Sequence, residues 1–203
     1  MNTGLFLTAL LSYLVIIDPL GVSLIFVALT EGKDAAYCRS MGIRAVLLSL
    51  MIILCFGFFG ARLLDTLGVA IESFRIAGGL LLFYTAFNMI TKQEPFRMEQ
   101  DQDAPEDISV YPLSFPLLAG PGSLTLTVLL YASAEGRVRD LAALIAAVFV
   151  VLLLTLLSFM SGRKISRFLG ETGNTIAKRL LGVLLASLSI QFIADGIMGF
   201  VAS

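Results

Sequence analysis

The sequence predicts an all-α membrane protein with six transmembrane helices, arranged as two inverted three-helix repeats whose first and fourth helices are broken at the midplane. Three observations support this fold class. Of 203 residues, 58% are hydrophobic and only 14% are charged, whereas soluble domains carry about a quarter charged residues. The run from Leu141 to Met160 has no charge over twenty residues, enough to cross a hydrocarbon core of about 30 Å. The third observation is an internal repeat.

Apolar runs bounded by charges and glycines define the six spans. The spans are 4–29, 40–61, 69–91, 110–132, 140–160 and 178–201. The short alternating segments of a β-barrel do not occur. No Lys or Arg precedes Lys33, whereas a signal peptide begins with a positive region, so the first span is predicted to be retained.

The longest hydrophilic stretch, "TKQEPFRMEQDQDAPED", separates the third and fourth spans. It is acidic and has no apolar period, which predicts a loose linker. The chain therefore divides into a first repeat at 1–92, the linker at 93–109 and a second repeat at 110–203. Lys and Arg divide ten to four between the two sides. This bias predicts a cytoplasmic linker and both termini outside.

The internal repeat relates the two halves at an offset of 102 residues. "IDPLGVS" at 17–23 parallels "AGPGSLT" at 119–125, and "GARLLDTLG" at 60–68 parallels "GRKISRFLG" at 162–170. One residue more brings Gly79 onto Gly182 and Asn88 onto Gln191. Because each unit has three spans, the second copy is inserted upside down, as in many secondary transporters.

Each repeat places a proline near the centre of its first span, at Pro19 and Pro121. A proline inside a helix costs about 3 kcal/mol, and in lipid the freed backbone groups need protein or a wet cavity as partner. Asp-Pro is also a good helix start, with Asp as the cap and Pro as the first helical residue. Both motifs therefore predict a junction between two half-helices, with Gly120 as the second cap.

The two breaks offer complementary chemistry. Asp18 supplies a negative charge, whereas Gly120 has no side chain and leaves backbone N–H donors of the second half-helix available. This combination suits a zwitterion, with its ammonium near Asp18 and its carboxylate near Gly122 and Ser123. The candidate substrate-binding residues are Asp18, Pro19, Gly21, Asn88, Gly120, Pro121, Gly122, Ser123, Thr127 and Gln191.

Other roles for these residues remain open. Asp18 contacts substrate, carries a proton or only caps its helix, and the coupling ion would be a proton or sodium. Asn88 and Gln191 are either interhelical contacts or cavity lining.

Several functional classes have no support in the sequence. The chain has no histidine, and its two cysteines, Cys38 and Cys55, lie in or beside apolar segments, so no metal site or cofactor is predicted. A phosphate-binding loop of the G-x-x-x-x-G-K-[ST] type is absent, and we predict no enzyme. A net charge of −1 indicates no nucleic-acid partner.

The motifs "DPLG", "IAGGLLLF", "PLLAGPGS" and "FIADGI" stand in this order along the chain. With them, the sequence resembles the MarC family of integral membrane proteins, which includes the SnatA small neutral amino-acid transporters. The resemblance implies a multi-pass protein of the bacterial inner membrane that moves glycine, alanine and related amino acids, often as export. It also implies broken helices at 18–21 and 120–123. The alternative is a channel, or a carrier for another small polar or anionic solute; a homo-oligomer is left open.

Overall fold

The computed structural model describes residues 2–91, 107–134 and 136–202, and these residues form helices joined by short connections, with no strand among them. The prediction of an all-helical protein is therefore confirmed. The helices are α1 Thr3–Ile17, α2 Pro19–Leu29, α3 Ala35–Thr66, α4 Ile71–Thr91, a wider π-helical segment Ser109–Leu118, α5 Pro121–Ser133 and α6 Val138–Ala202.

Five helical stretches of the described chain are long and apolar enough to cross a membrane. They are Thr3–Leu29, Ala35–Thr66, Ile71–Thr91, Val138–Gly162 and Arg179–Val201. The π-helical segment and α5 form a pair bent by 56°, which brings the number of spans to six if the pair crosses as one unit. Large apolar side chains cover the outside of these helices, as expected for lipid contact. Examples are Leu47, Met51, Phe59, Leu153 and Leu157.

The last two predicted spans, 140–160 and 178–201, belong to one helical run, α6. No proline stands between them, and a glycine costs a helix interior only about 1 kcal/mol, so helical backbone continues where the sequence predicted a connection. The two apolar portions nevertheless pack on different neighbours. Gly162 contacts Val27 of α2, whereas Gly182 contacts Ile90 of α4. The predicted linker lies outside the described residues except for 107–109.

The directions of the helices follow from pairs of contacts. The start of α1 meets the start of α6 through Asn2 and Asp140, and Gly162 reaches Val27, so these stretches run parallel. Thr127 of α5 bonds to Tyr13 of α1. Five residues earlier on α5, Gly122 lies against Ile16, three residues later on α1. The two helices next to the breaks, α1 and α5, therefore run antiparallel.

Helix α4 and the second portion of α6 contact each other through two glycines in an exchanged pattern. A Cβ added at Gly79 would lie 2.9 Å from a carbonyl oxygen and 2.7 Å from an isoleucine Cγ1 of α6. A Cβ added at Gly182 would lie 3.3 Å from a carbonyl oxygen and 2.9 Å from an isoleucine Cγ1 of α4. Each pair of equivalent positions is 103 residues apart. The pairs are Gly79 and Gly182, Ala86 and Ser189, and Ile90 and Ile193.

Candidate functional site

The first break lies at Asp18, between the last residue of α1 and the first residue of α2. Its backbone has φ +46° and ψ +70°, a left-handed conformation that costs a residue with a side chain about 1–2 kcal/mol. The Asp18 N–H donates to the carbonyl oxygen of Leu14 at 3.1 Å, and its Oδ1 accepts from the N–H of Gly21 at 3.0 Å. Asp18 therefore closes α1 and caps α2, and the break predicted from the Asp-Pro pair is confirmed.

Gly21 makes room for this cap. A Cβ at position 21 would lie 2.8 Å from Cγ of Asp18, and nearer still to Oδ2. Pro19 is the first residue of α2, and both Pro19 and Gly21 are buried while Asp18 is half-buried. The carboxylate is thus folded over the first turn of α2, at the positive end of the helix dipole.

The second break has no side-chain cap. Gly120 precedes α5 with extended backbone, φ −81° and ψ 176°, and Pro121 is the first helical residue. A Cβ at Gly120 would collide with the carbonyl oxygen of Pro116, so only glycine fits. Within the described residues, the N–H groups of Gly122 and Ser123 have no acceptor. This end of α5 therefore presents the hydrogen-bond donors that the sequence predicted.

Ser123 and Thr127 use their hydroxyls within the protein. The Ser123 hydroxyl donates to the carbonyl oxygens of Leu118 at 2.9 Å and Gly120 at 3.0 Å. It therefore ties α5 back to the π-helical segment across the break. The Thr127 hydroxyl donates to the carbonyl oxygen of Ser123 at 2.6 Å. Both side chains are buried.

The start of α5 packs near the end of α1 and against α4. A Cβ at Gly122 would lie 3.3 Å from Cγ of Leu82 and 3.5 Å from Cγ2 of Ile16. Leu82 of α4 therefore occupies the position that a side chain at residue 122 would need. Gly122 at the second break thus lies against Ile16, which stands two residues before Asp18.

Sequence reasoning missed Tyr13. Its hydroxyl is 2.7 Å from Oγ1 of Thr127, and both residues are fully buried. Because the Thr127 hydroxyl already donates to Ser123, the Tyr13 hydroxyl donates to Thr127. The sequence did offer a signal for this residue, because Tyr13 is a polar side chain inside an apolar run, about one and a half helical turns before Asp18.

Asn88 and Gln191 do not join the breaks by hydrogen bonds in the described structure. Asn88 is half-buried on α4. Gln191 is exposed and donates through Nε2 to Oδ1 of Asp195 at 2.7 Å. No three His, Cys, Asp or Glu residues of the described chain lie close enough together to hold a metal ion.

Two contacts that involve charged side chains also connect the first half of the chain to the second, and sequence reasoning predicted neither. At one end Asp140 accepts from Asn2 Nδ2 at 3.0 Å and from Arg137 Nε at 2.7 Å. At the start of the π-helical segment, Asp107 forms a salt bridge with Arg44 at 2.9 Å. The first contact joins α1 to α6, and the second joins α3 to the π-helical segment.

The pKa of Asp107 lies below its ordinary value. The largest cause is a hydrogen bond from the Ser109 hydroxyl, and the Ser109 N–H and the Arg44 charge add to it, while partial desolvation opposes them. Asp107 is therefore charged at neutral pH, as its ion pair with Arg44 requires.

Comparison with known proteins gives one family and a set of relatives. The family model for the MarC family integral membrane proteins matches residues 3–201. A UPF0056 membrane protein of Archaeoglobus fulgidus is 34% identical, over 95% of this chain and 92% of its own. The UPF0056 membrane protein YvbG of Bacillus subtilis is 32% identical over 93% of this chain and 92% of its own, and YhcE of Escherichia coli is 31% identical over 91% and 87%. No solved structure matches the chain.

Proposed function

The chain belongs to the MarC family of integral membrane proteins, and from this premise we propose that it transports small neutral amino acids such as glycine and alanine by alternating access. The observation that supports this most is a pair of proline-started half-helices in a membrane protein, the second packed near the end of the helix that precedes the first. One half-helix begins with the carboxylate of Asp18. The other begins with the uncapped N–H groups of Gly122 and Ser123.

These two half-helix ends suit the two charges of an amino acid. A carboxylate binds well at a helix N-terminus because the backbone donors and the dipole favour negative charge. An ammonium group binds well beside a carboxylate held in a site of low dielectric. Little space is left for a large side chain, because Leu82 and Ile16 lie against Gly122. This is the reason for proposing small neutral substrates rather than large or charged ones.

Alternating access requires both ends of the route to close and open in turn. The Asn2–Asp140 hydrogen bond and the Arg44–Asp107 pair are candidates for closing contacts. The first joins the first repeat to the second, and the other joins α3 to the end of the linker, directly before the π-helical segment. The first connects the starts of the first and fifth spans, and the other connects the starts of the fourth and second. The proposed inverted repeat makes the first span equivalent to the fourth and the second equivalent to the fifth. It therefore relates one of these contacts to the other. In the described conformation both contacts are made.

The same proposal places the protein in the bacterial-type inner membrane, with the linker 93–109 in the cytoplasm and the termini outside. The alternative function is a channel, or a carrier for another small polar or anionic solute. The uncapped end of α5 favours an anionic group in either case.

Uptake of labelled alanine into proteoliposomes tests the role of Asp18. Asp18→Asn keeps a side chain that caps helices and tolerates left-handed backbone, but removes the charge. We expect saturable uptake by the wild type and at least a tenfold lower rate in this variant, because a charged hydrogen bond contributes about 1.5–3 kcal/mol.

The matched control is Asp34→Asn. Asp34 also caps a helix, accepting from the N–H of Tyr37 at 2.7 Å, but it is exposed at the start of α3. Its variant should transport like the wild type. Normal uptake by Asp18→Asn would show that Asp18 only caps α2, and uptake proportional to concentration without saturation would favour a channel.

A further inference from the structure

A line of polar side chains follows one face of α5 away from the break. Ser123, Thr127 and Tyr131 are spaced four residues apart, which places them one above another on a helix. All three are buried in an otherwise apolar core, with at most 6% of their surface exposed. Ser123 and Thr127 have hydrogen-bond partners within the protein. The hydroxyl of Tyr131 has none among the described residues.

Packing holds the Tyr131 ring in place without using its hydroxyl. The ring lies against α3, where a Cβ at Gly57 would be only 2.8 Å from Tyr131 Cε1. Phe58 meets the ring edge to face, with 5.4 Å between the ring centres. A phenylalanine at position 131 would make the same contacts without burying an unpaired polar group, which costs free energy. The described residues thus leave this buried hydroxyl without a hydrogen-bond partner, and a buried polar group of this kind calls for a functional explanation.

We infer that Tyr131 is a solute-binding residue, whose hydroxyl donates a hydrogen bond to the carboxylate of the transported amino acid as it passes along α5. This inference rests on the proposed function, because it assigns a second contact to the same solute. The free N–H groups at Gly122 and the hydroxyl of Tyr131 are both donors. Along the axis of α5 the backbones of Gly122 and Tyr131 are about 14 Å apart, at 1.5 Å per residue. The solute's carboxylate therefore exchanges one donor for the other on its way to the end of α5.

The test compares Tyr131→Phe with a matched control in proteoliposomes. The control is Tyr84→Phe, since Tyr84 is 63% exposed on α4 and loses the same atom. For Tyr131→Phe we expect a thermal midpoint in detergent equal to or above that of the wild type. We also expect the half-saturating alanine concentration to rise about tenfold or more, because the variant loses one hydrogen bond to a charged group. Tyr84→Phe should match the wild type in both.

Each other outcome overturns the inference. A lower thermal midpoint for Tyr131→Phe would show that the hydroxyl has a partner within the protein. Unchanged half-saturation in Tyr131→Phe, with active wild type and control, would remove Tyr131 from the route and leave the proposed function standing. No alanine uptake by the wild type would overturn the proposed function together with this inference.

Discussion

Asp18 combines a left-handed backbone, a helix cap and a negatively charged side chain. Its left-handed backbone is unfavourable for a side chain other than glycine, asparagine or aspartate, and its carboxylate offsets this by bonding to the N–H of Gly21. Glycine at position 21 is required by that carboxylate rather than by its own backbone, because a Cβ would meet the Asp18 side chain. These two residues form one local unit, which the sequence motif "DPLG" made recognisable.

Tyr13 and Thr127 are joined by a buried hydrogen bond across 114 residues of sequence. Thr127→Val leaves the Tyr13 hydroxyl buried without an acceptor, and Tyr13→Phe removes the hydroxyl itself. We expect Thr127→Val to lower the free energy of unfolding by about 1–3 kcal/mol. The double variant should be more stable than the sum of the two single losses implies, by about 1 kcal/mol. Unfolding of the four proteins in mixed micelles measures this coupling, and strictly additive losses would contradict it.

At the scale of elements, the contact between α4 and the second portion of α6 depends on glycine. At Gly79 a Cβ would lie 2.9 Å from the backbone oxygen of Ser189, and backbone yields less than a flexible side chain. Gly79→Ala should therefore lower the free energy of unfolding by about 1–3 kcal/mol. Gly182→Ala should have a similar effect, because the two glycines make equivalent contacts.

The matched control for these variants is Gly4→Ala in α1. A Cβ there would be 3.7 Å from its nearest neighbour, Oδ1 of Asn2, which is an ordinary contact. Alanine is also the better helix former, by about 1 kcal/mol, so this variant should be at least as stable as the wild type. Equal losses in all three alanine variants would show that close packing of α4 on α6 is not the cause.

Both broken helices were predictable because proline, glycine and aspartate determine locally where a helix ends and where the next one begins. The cap at Asp18, the bare start at Gly120 and the shared face of Ser123 and Thr127 all follow from local spacing. The sequence did not reveal that Leu82 would cover Gly122, since that contact joins residues 40 positions apart. Contacts of this kind depend on how helices cross, which hydrophobic pattern alone does not fix.

At the scale of the whole molecule, the two halves make exchanged contacts. The glycines of α4 and α6 each contact the residues that the repeat makes equivalent, and α1 runs antiparallel to α5, as an inverted duplication requires. The inverted repeat stays a prediction, and these contacts support it. In a molecule built from inverted repeats, each repeat can adopt the conformation of the other. The closed end of the route can then open while the open end closes.

Counterflow tests the central claim, alternating access to one amino-acid site, most directly. Proteoliposomes loaded with unlabelled alanine are diluted into a low concentration of labelled alanine, and the label inside is followed with time. A carrier exchanges inner for outer solute, so the label should rise transiently above its outside concentration and then decline. A channel would bring the label only to equal concentrations without an overshoot, and a protein that does not transport alanine would leave the label at the level of passive leak. Either result would contradict the account.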